Sequence, residues 1–113
     1  MGVKCQVDEN KNGVVTISLH GEIDMSSSPE VRDALTAQFD TKPKAIIVNM
    51  SKVPYIDSSG IATLVEGLQW SHSNGKKFRL VGLNSSVRDI FEIARLLQVF
   101  EVFDSNEEAM QGV

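Results

Sequence analysis

The chain has 113 residues, 42% of them hydrophobic and 23% charged, with a net charge of −4. That length suits one domain built on one hydrophobic core, and the acidic balance lacks the basic stripe of a general nucleic-acid binder. The longest apolar runs, four to five residues, are too short to span a bilayer, so no membrane partner is expected.

Cys5 is the only cysteine, which rules out an internal disulfide and suits a reducing, cytoplasmic setting. The Met-Gly-Val-Lys start has no apolar stretch of the kind a secretory signal carries. Val3, Cys5 and Val7 alternate with polar residues and predict a short strand. Asn12-Gly13, within 9–13, is a turn signal for a hairpin. Val15, Ile17 and Leu19 then predict a second strand with one buried face. In GEIDMSSSPEV, Ser27 and Glu30 have capping-box spacing and Pro29 fits a first helical turn. Val31, Ala34, Leu35 and Phe39 make the apolar stripe of that helix, which Pro43 ends.

Ala45 to Val48 is a continuous apolar run, expected as a central strand covered on both faces. After Asp57-Ser58-Ser59-Gly60, the residues Ile61, Leu64, Val65 and Leu68 form a second helical stripe, stopped at Asn74-Gly75. Phe78 to Leu83 predicts a strand. Ser86 with Asp89 predicts a helix start, and the buried face that follows is Val87, Ile90, Phe91, Ala94 and Leu97. Phe100 to Phe103 predicts a last strand, and Ser105 with Glu108 a short final helix. Strands alternating with helices at this spacing give an α/β fold. A mostly parallel mixed sheet of about four to five strands with about four helices is expected. In such sheets, function gathers in the loops beyond the carboxyl ends of the strands, where Asp57 to Gly60 falls.

Catalytic signatures are missing. No Gly-x-Ser-x-Gly surrounds Ser58 or Ser59. A phosphate-binding Gly-rich loop with its Lys is absent, as is any His/Cys/carboxylate cluster at metal spacing. His20 lies on the polar face of its strand and His72 near a helix end, where it favours the dipole. No catalytic residue, cofactor or metal is therefore expected. Asp24 and Asp57 both stand at element junctions, where acids commonly serve turns or helix starts. Either Ser58 or Ser59 suits an N-cap, but one serine is enough for that. Trp70 lies about opposite the helical stripe at ~100° per residue. It is either an exposed partner contact or a ring folded over neighbouring loops.

VPYIDSSGIATL resembles the signature of the STAS-domain anti-sigma factor antagonists of bacteria. The resemblance extends through GEIDMSSSPEVRDAL, AIIVNMSKVPYIDSSGIATL and KKFRLVGLNSSVRDIFEIARLLQVFEVFDSNEEAM, so it covers nearly the whole chain as one STAS domain, 1–113. It implies a regulatory protein rather than an enzyme, a monomer when free. Its unmodified form would bind an anti-sigma factor that is also a serine kinase, releasing a sigma factor. Carried over, the kinase phosphorylates Ser58 and the pair separates; a PP2C-type phosphatase reverses this. Asp57, Ser59 and Gly60 complete the switch loop, and Asp24 matches an acid in a neighbouring loop. Gly60, lacking a Cβ, is expected to let a kinase approach. Where family members often carry a second glycine, this chain has Ala62. The alternative is a STAS interaction subunit of a stress-sensing or membrane transport complex. A small serine hydrolase would need a base beside Ser58, and a nucleotide-binding regulator would need a phosphate loop.

Overall fold

The structure is a computed structural model that describes residues 2–9 and 12–113. Its strands are β1 (Lys4–Glu9), β2 (Val14–His20), β3 (Ala45–Lys52), β4 (Lys77–Val81) and β5 (Glu101–Phe103). Its helices are α1 (Ser28–Phe39), α2 (Ser58–Ser73), α3 (Ser85–Ile93) and α4 (Asn106–Met110), with a 3-10 turn at Leu96–Gln98. The strands lie in sequence order in one sheet. β1 and β2 are antiparallel, and every later pair is parallel. The expected hairpin is present as this pairing. Residues 10 and 11 of its turn lie outside the described residues, while Gly13 takes the φ of +78° that the turn signal implies.

The strand order dictates the layering. Each parallel step moves to the next strand in the same direction, and a right-handed crossover then puts each connecting helix on the same face. Thus Val31 and Leu35 of α1, Leu64 of α2, and Val87 and Phe91 of α3 share one core. They pack there with Val15, Ile17, Ile46, Val48, Phe78 and Leu80 of the sheet. The alternate residues Val14, Ala45, Ile47 and Val81 form a second, smaller cluster, covered by Ala109 of α4. β3 is accordingly buried on both faces, as its continuous apolar run implies. Arg79 is buried on the α4 side. Its Nη1 donates to Ala109 O at 2.9 Å and to Gln111 O, and its guanidinium lies 5.2 Å from the Phe103 ring centroid. It thereby supplies donors to the last carbonyls of α4.

Three local expectations change. Ser27 precedes α1 but makes no side-chain cap, because its hydroxyl oxygen accepts from Asp24 N at 2.9 Å while its proton goes to Glu22 O at 2.8 Å. The start of α3 is capped by Asn84, whose Oδ1 accepts from Val87 N at 3.0 Å, not by Ser86. That helix ends at Ile93, and Arg95 turns the chain with φ +61°, which leaves Ala94 exposed. The final helix does start as expected, with Glu108 N donating to Ser105 Oγ at 3.2 Å.

The buried face of α2 is rotated from the apolar stripe. Gly60, Thr63, Leu64, Gly67 and Ser71 are buried, whereas Ile61, Val65 and Leu68 are half-buried. Glycine explains the difference. A Cβ on Gly67 would stand 2.7 Å and 2.8 Å from two ring carbons of Phe78, so the bare backbone seats the helix close to β4.

Candidate functional site

An isolated parallel bridge between Ile23 and Ile56 joins the loop after β2 to the loop after β3. Ile23 N donates to Tyr55 O, and Asp57 N donates to Ile23 O, both at 3.0 Å. Ile23 and Ile56 are fully buried, so the bridge is anchored from below. It sets Asp24 and Asp57, the residues that follow the two isoleucines, in neighbouring loops.

Each aspartate then organises its own loop in the same way. Asp57 is the N-cap of α2 in an extended conformation. Its Oδ1 accepts from Ser59 N at 2.9 Å, Ser59 Oγ at 2.6 Å and Gly60 N at 3.2 Å. Asp24 Oδ1 accepts from Ser26 N at 2.9 Å, Ser26 Oγ at 2.6 Å and Ser27 N at 3.1 Å. In both loops the residue directly after the aspartate is left pointing out: Met25 in one, 79% exposed, and Ser58 in the other. Ser58 is the first residue of α2, and among the described residues its hydroxyl takes part in no hydrogen bond. The cap is thus the aspartate, not a serine. A carboxylate oxygen accepts from two orphan N–H groups at once, which one hydroxyl does less well.

Both carboxyls are held below the usual carboxylate range. For Asp57 the main cause is the Ser59 hydroxyl, with the backbone N–H groups of Gly60 and Ser59 adding to it and the charge of Asp24 opposing. For Asp24 the Ser26 hydroxyl dominates. The sign follows from linkage: a carboxylate bonded only in the folded state stabilises above its unfolded pKa and stops doing so as pH falls through its folded value. Acid should therefore loosen the start of α2 as pH drops below the ordinary 3.8. Asp57→Asn is expected to keep the cap, since an amide oxygen also accepts, and to flatten this acid limb. Asp57→Ala loses both. Thermal melts of the three proteins across that pH range measure the difference, and an unchanged acid limb in Asp57→Asn would refute the assignment.

Gly60 has a packing role that the sequence did not show. It is buried, and a Cβ there would stand 2.6 Å from Ile23 Cγ2 and 2.7 Å from Ile56 Cγ1. Its role is internal: it lets the first turn of α2 rest on the two bridge isoleucines. Trp70 lies at the other end of α2, about 18 Å along the axis from Ser58 at ~1.5 Å per residue. It is half-buried and stacked on Phe39, with centroids 4.3 Å apart and planes 10° apart. The rotated helix face explains this, since Trp70 falls three residues from Gly67 and one from Ser71, at the border of the buried side.

Two residues missed by sequence reading lie exposed on the loops joined by the Ile23–Ile56 bridge. Met25 and Tyr55, 79% and 46% exposed, are large apolar side chains left in solvent on the bridged loops. The available signal was an isolated methionine inside the polar run Asp24 to Ser28. His72 stands in the last turn of α2, and His20 is exposed at the end of β2. Neither is hydrogen-bonded to Ser58 or Asp57 among the described residues. The described residues also contain no group of three His, Cys, Asp or Glu side chains placed to hold a metal ion, and no helix among them is long and apolar enough to cross a membrane.

The fold and this junction define an STAS domain. The STAS domain model matches residues 6–109, and the chain belongs to that family. Within it, the chain is similar to the anti-sigma-B factor antagonist of Staphylococcus aureus (strain NCTC 8325 / PS 47), with 29% identity over 91 residues, covering 80% of this chain and 84% of that protein. The fold matches a crystal structure of an anti-sigma factor antagonist from Mycobacterium paratuberculosis, with TM-score 0.89, 23% identity, and 98% and 93% of the two chains covered. It also matches the Bacillus cell fate determinant SpoIIAA in its phosphorylated form, with TM-score 0.74, 21% identity, and 95% and 96% covered.

Proposed function

We propose that this chain is an anti-sigma factor antagonist controlled by phosphorylation of Ser58. The unmodified form binds an anti-sigma factor serine kinase and so releases a sigma factor. Phosphoryl transfer ends the complex, and a PP2C-type phosphatase restores the first state. Of two adjacent hydroxyls, that of Ser58 is exposed and unbonded among the described residues, whereas that of Ser59 is committed to Asp57 at 2.6 Å. This difference carries the reading. The names of the relatives support the function, and the phosphorylated form of the similar SpoIIAA supports the modification.

The chemistry asks little of this chain. The Ser58 Oγ–P bond forms as the bond from the γ-phosphorus of ATP to its bridging oxygen breaks, ADP leaves, and the hydroxyl proton passes to a base of the kinase. Nucleotide, metal and base belong to the partner, so the chain acts as a substrate and a ligand without catalysis of its own. The partner surface comprises Asp24, Asp57, Ser58 and Ser59, with Met25 and Tyr55 as its apolar contacts. Gly60 supports it from beneath, and Trp70 is left outside it.

The test is reconstitution with the kinase, with and without ATP, followed by phosphosite mapping. Ser58→Ala is expected to remain bound when ATP is added, while the unmodified chain is phosphorylated and released. Stoichiometric phosphorylation of Ser58→Ala would move the site to Ser59, whose hydroxyl would first have to leave Asp57.

A further inference from the structure

The C-terminal ends of α1 and α2 enclose a groove of about 500 Å³, lined by Phe39, Asp40, Lys42, Trp70, Asn74 and Lys76. It lies at the opposite end of α2 from Ser58 and shares no residue with the switch loop. Phe39 and Trp70, stacked on each other, both line it, and the edges and outer faces that such a pair leaves open suit an edge-on or offset contact with a flat ring. The lining also carries two lysines in a chain whose net charge is −4. Among the described residues the ion pairs are Arg32–Glu66, Arg79–Glu101 and Arg88–Asp104, so neither lysine is held in an ion pair.

Lys42 adds an independent observation. It closes α1, with its N–H donating to Phe39 O at 3.0 Å, and it does so at φ +52°. Five of the seven positive-φ positions among the described residues are glycines, and only Lys42 and Arg95 are not. Glycine at a helix end closes the same turn without the Cβ penalty. A lysine kept at such a position, at the rim of the groove, is a backbone outlier that motivates a functional reading of the groove.

We propose that this groove binds a small planar aromatic monoanion, an aromatic carboxylate in preference to a phosphate. The ring lies against Phe39 and Trp70, and the anionic group sits between Lys42 and Lys76. Asp40, the one acid in the lining, leaves a net charge of about +1 there, which suits a single negative charge better than two.

Trp70 is the only tryptophan, so its indole N–H signal in a nitrogen–proton correlation spectrum reports the site alone. Titration of the whole chain with 4-hydroxybenzoate is expected to move that signal saturably, with a Kd of about 1 mM or tighter. Lys42→Gly should weaken binding about tenfold or more, the scale of one charge-assisted hydrogen bond. It should also keep or raise the melting temperature, because the turn strain is relieved. Asp40→Asn should tighten binding. An unmoved indole signal overturns the proposal. So does equal binding of the uncharged 4-hydroxybenzyl alcohol, or undiminished binding by Lys42→Gly. Tighter binding of adenosine 5′-monophosphate than of the carboxylate overturns the monoanion assignment.

Discussion

Phosphorylation of Ser58, or Ser58→Asp in its place, is expected to weaken the complex with the kinase about a hundredfold or more while hardly changing the melting temperature. The stability half rests on position. Ser58 is the first residue of α2 and exposed, so the added charge of about −1.5 to −2 meets water and the positive end of a helix. The gain there is small, because Asp57 already occupies the N–H groups of Ser59 and Gly60. What remains is the dipole term, about 0.3–1 kcal/mol, opposed by the neighbouring charges of Asp57 and Asp24. The binding half rests on the same crowding. A surface that already presents two carboxylates, each held in its ionised form, acquires a third anionic group at the exposed Ser58. Like charges brought together at an interface cost several kcal/mol, and a hundredfold change requires only about 2.8 kcal/mol. Titration calorimetry and thermal melts on the same samples test both halves. A modified protein that melts far below the unmodified one would show a folding switch, and one that binds equally well would remove the switch altogether.

Gly60→Ala is the other large effect, expected to cost about 1–3 kcal/mol as overpacking. Whole domains are stable by only about 5–15 kcal/mol, so this is a substantial fraction. The new Cβ would stand 2.6 Å and 2.7 Å from methyl and methylene carbons of Ile23 and Ile56. Both side chains are fully buried, so neither has free space to swing into. Relief comes by lifting the first turn of α2 or by breaking the Ile23–Ile56 bridge, and either movement separates the two aspartate loops. The variant should therefore lose partner affinity along with stability. A urea titration checks this, with a lower midpoint at unchanged slope. Ala62→Gly is the control: Ala62 is exposed two residues further on, and its change should cost only the helical penalty of about 1 kcal/mol. A Gly60→Ala protein as stable as the unmodified chain would mean that the helix start accommodates the methyl group without displacement.

Much of the fold was legible because periodicity is a local property. Apolar residues at every second or every third-to-fourth position reveal which segments bury a face, and the order of strands and helices limits the sheet to a mostly parallel one. The α2 stripe shows where this stops. Ile61, Val65 and Leu68 looked like its centre because they are apolar, yet Gly60 and Gly67 face the core. A glycine carries no hydrophobic signal; it is read correctly only when the atoms it makes room for, the Ile23 and Ile56 side chains and the Phe78 ring, are known.

The same division runs through the site. By itself, the sequence determined that an acid, two serines and a glycine stand at the carboxyl end of a central strand and begin a helix. It also determined, through VPYIDSSGIATL and the segments on either side of it, the family to which the chain belongs. Only the tertiary structure decided how those four residues divide the work. Asp57 caps the helix, Ser59 is bound to Asp57, Gly60 faces inward, and Ser58 alone stands free among the described residues. Several side chains in such a loop are chemically able to make each hydrogen bond. Which of them does so is set by a bridge to Ile23, which lies 33 positions earlier in the chain than Ile56, and no local pattern reports a contact over that separation.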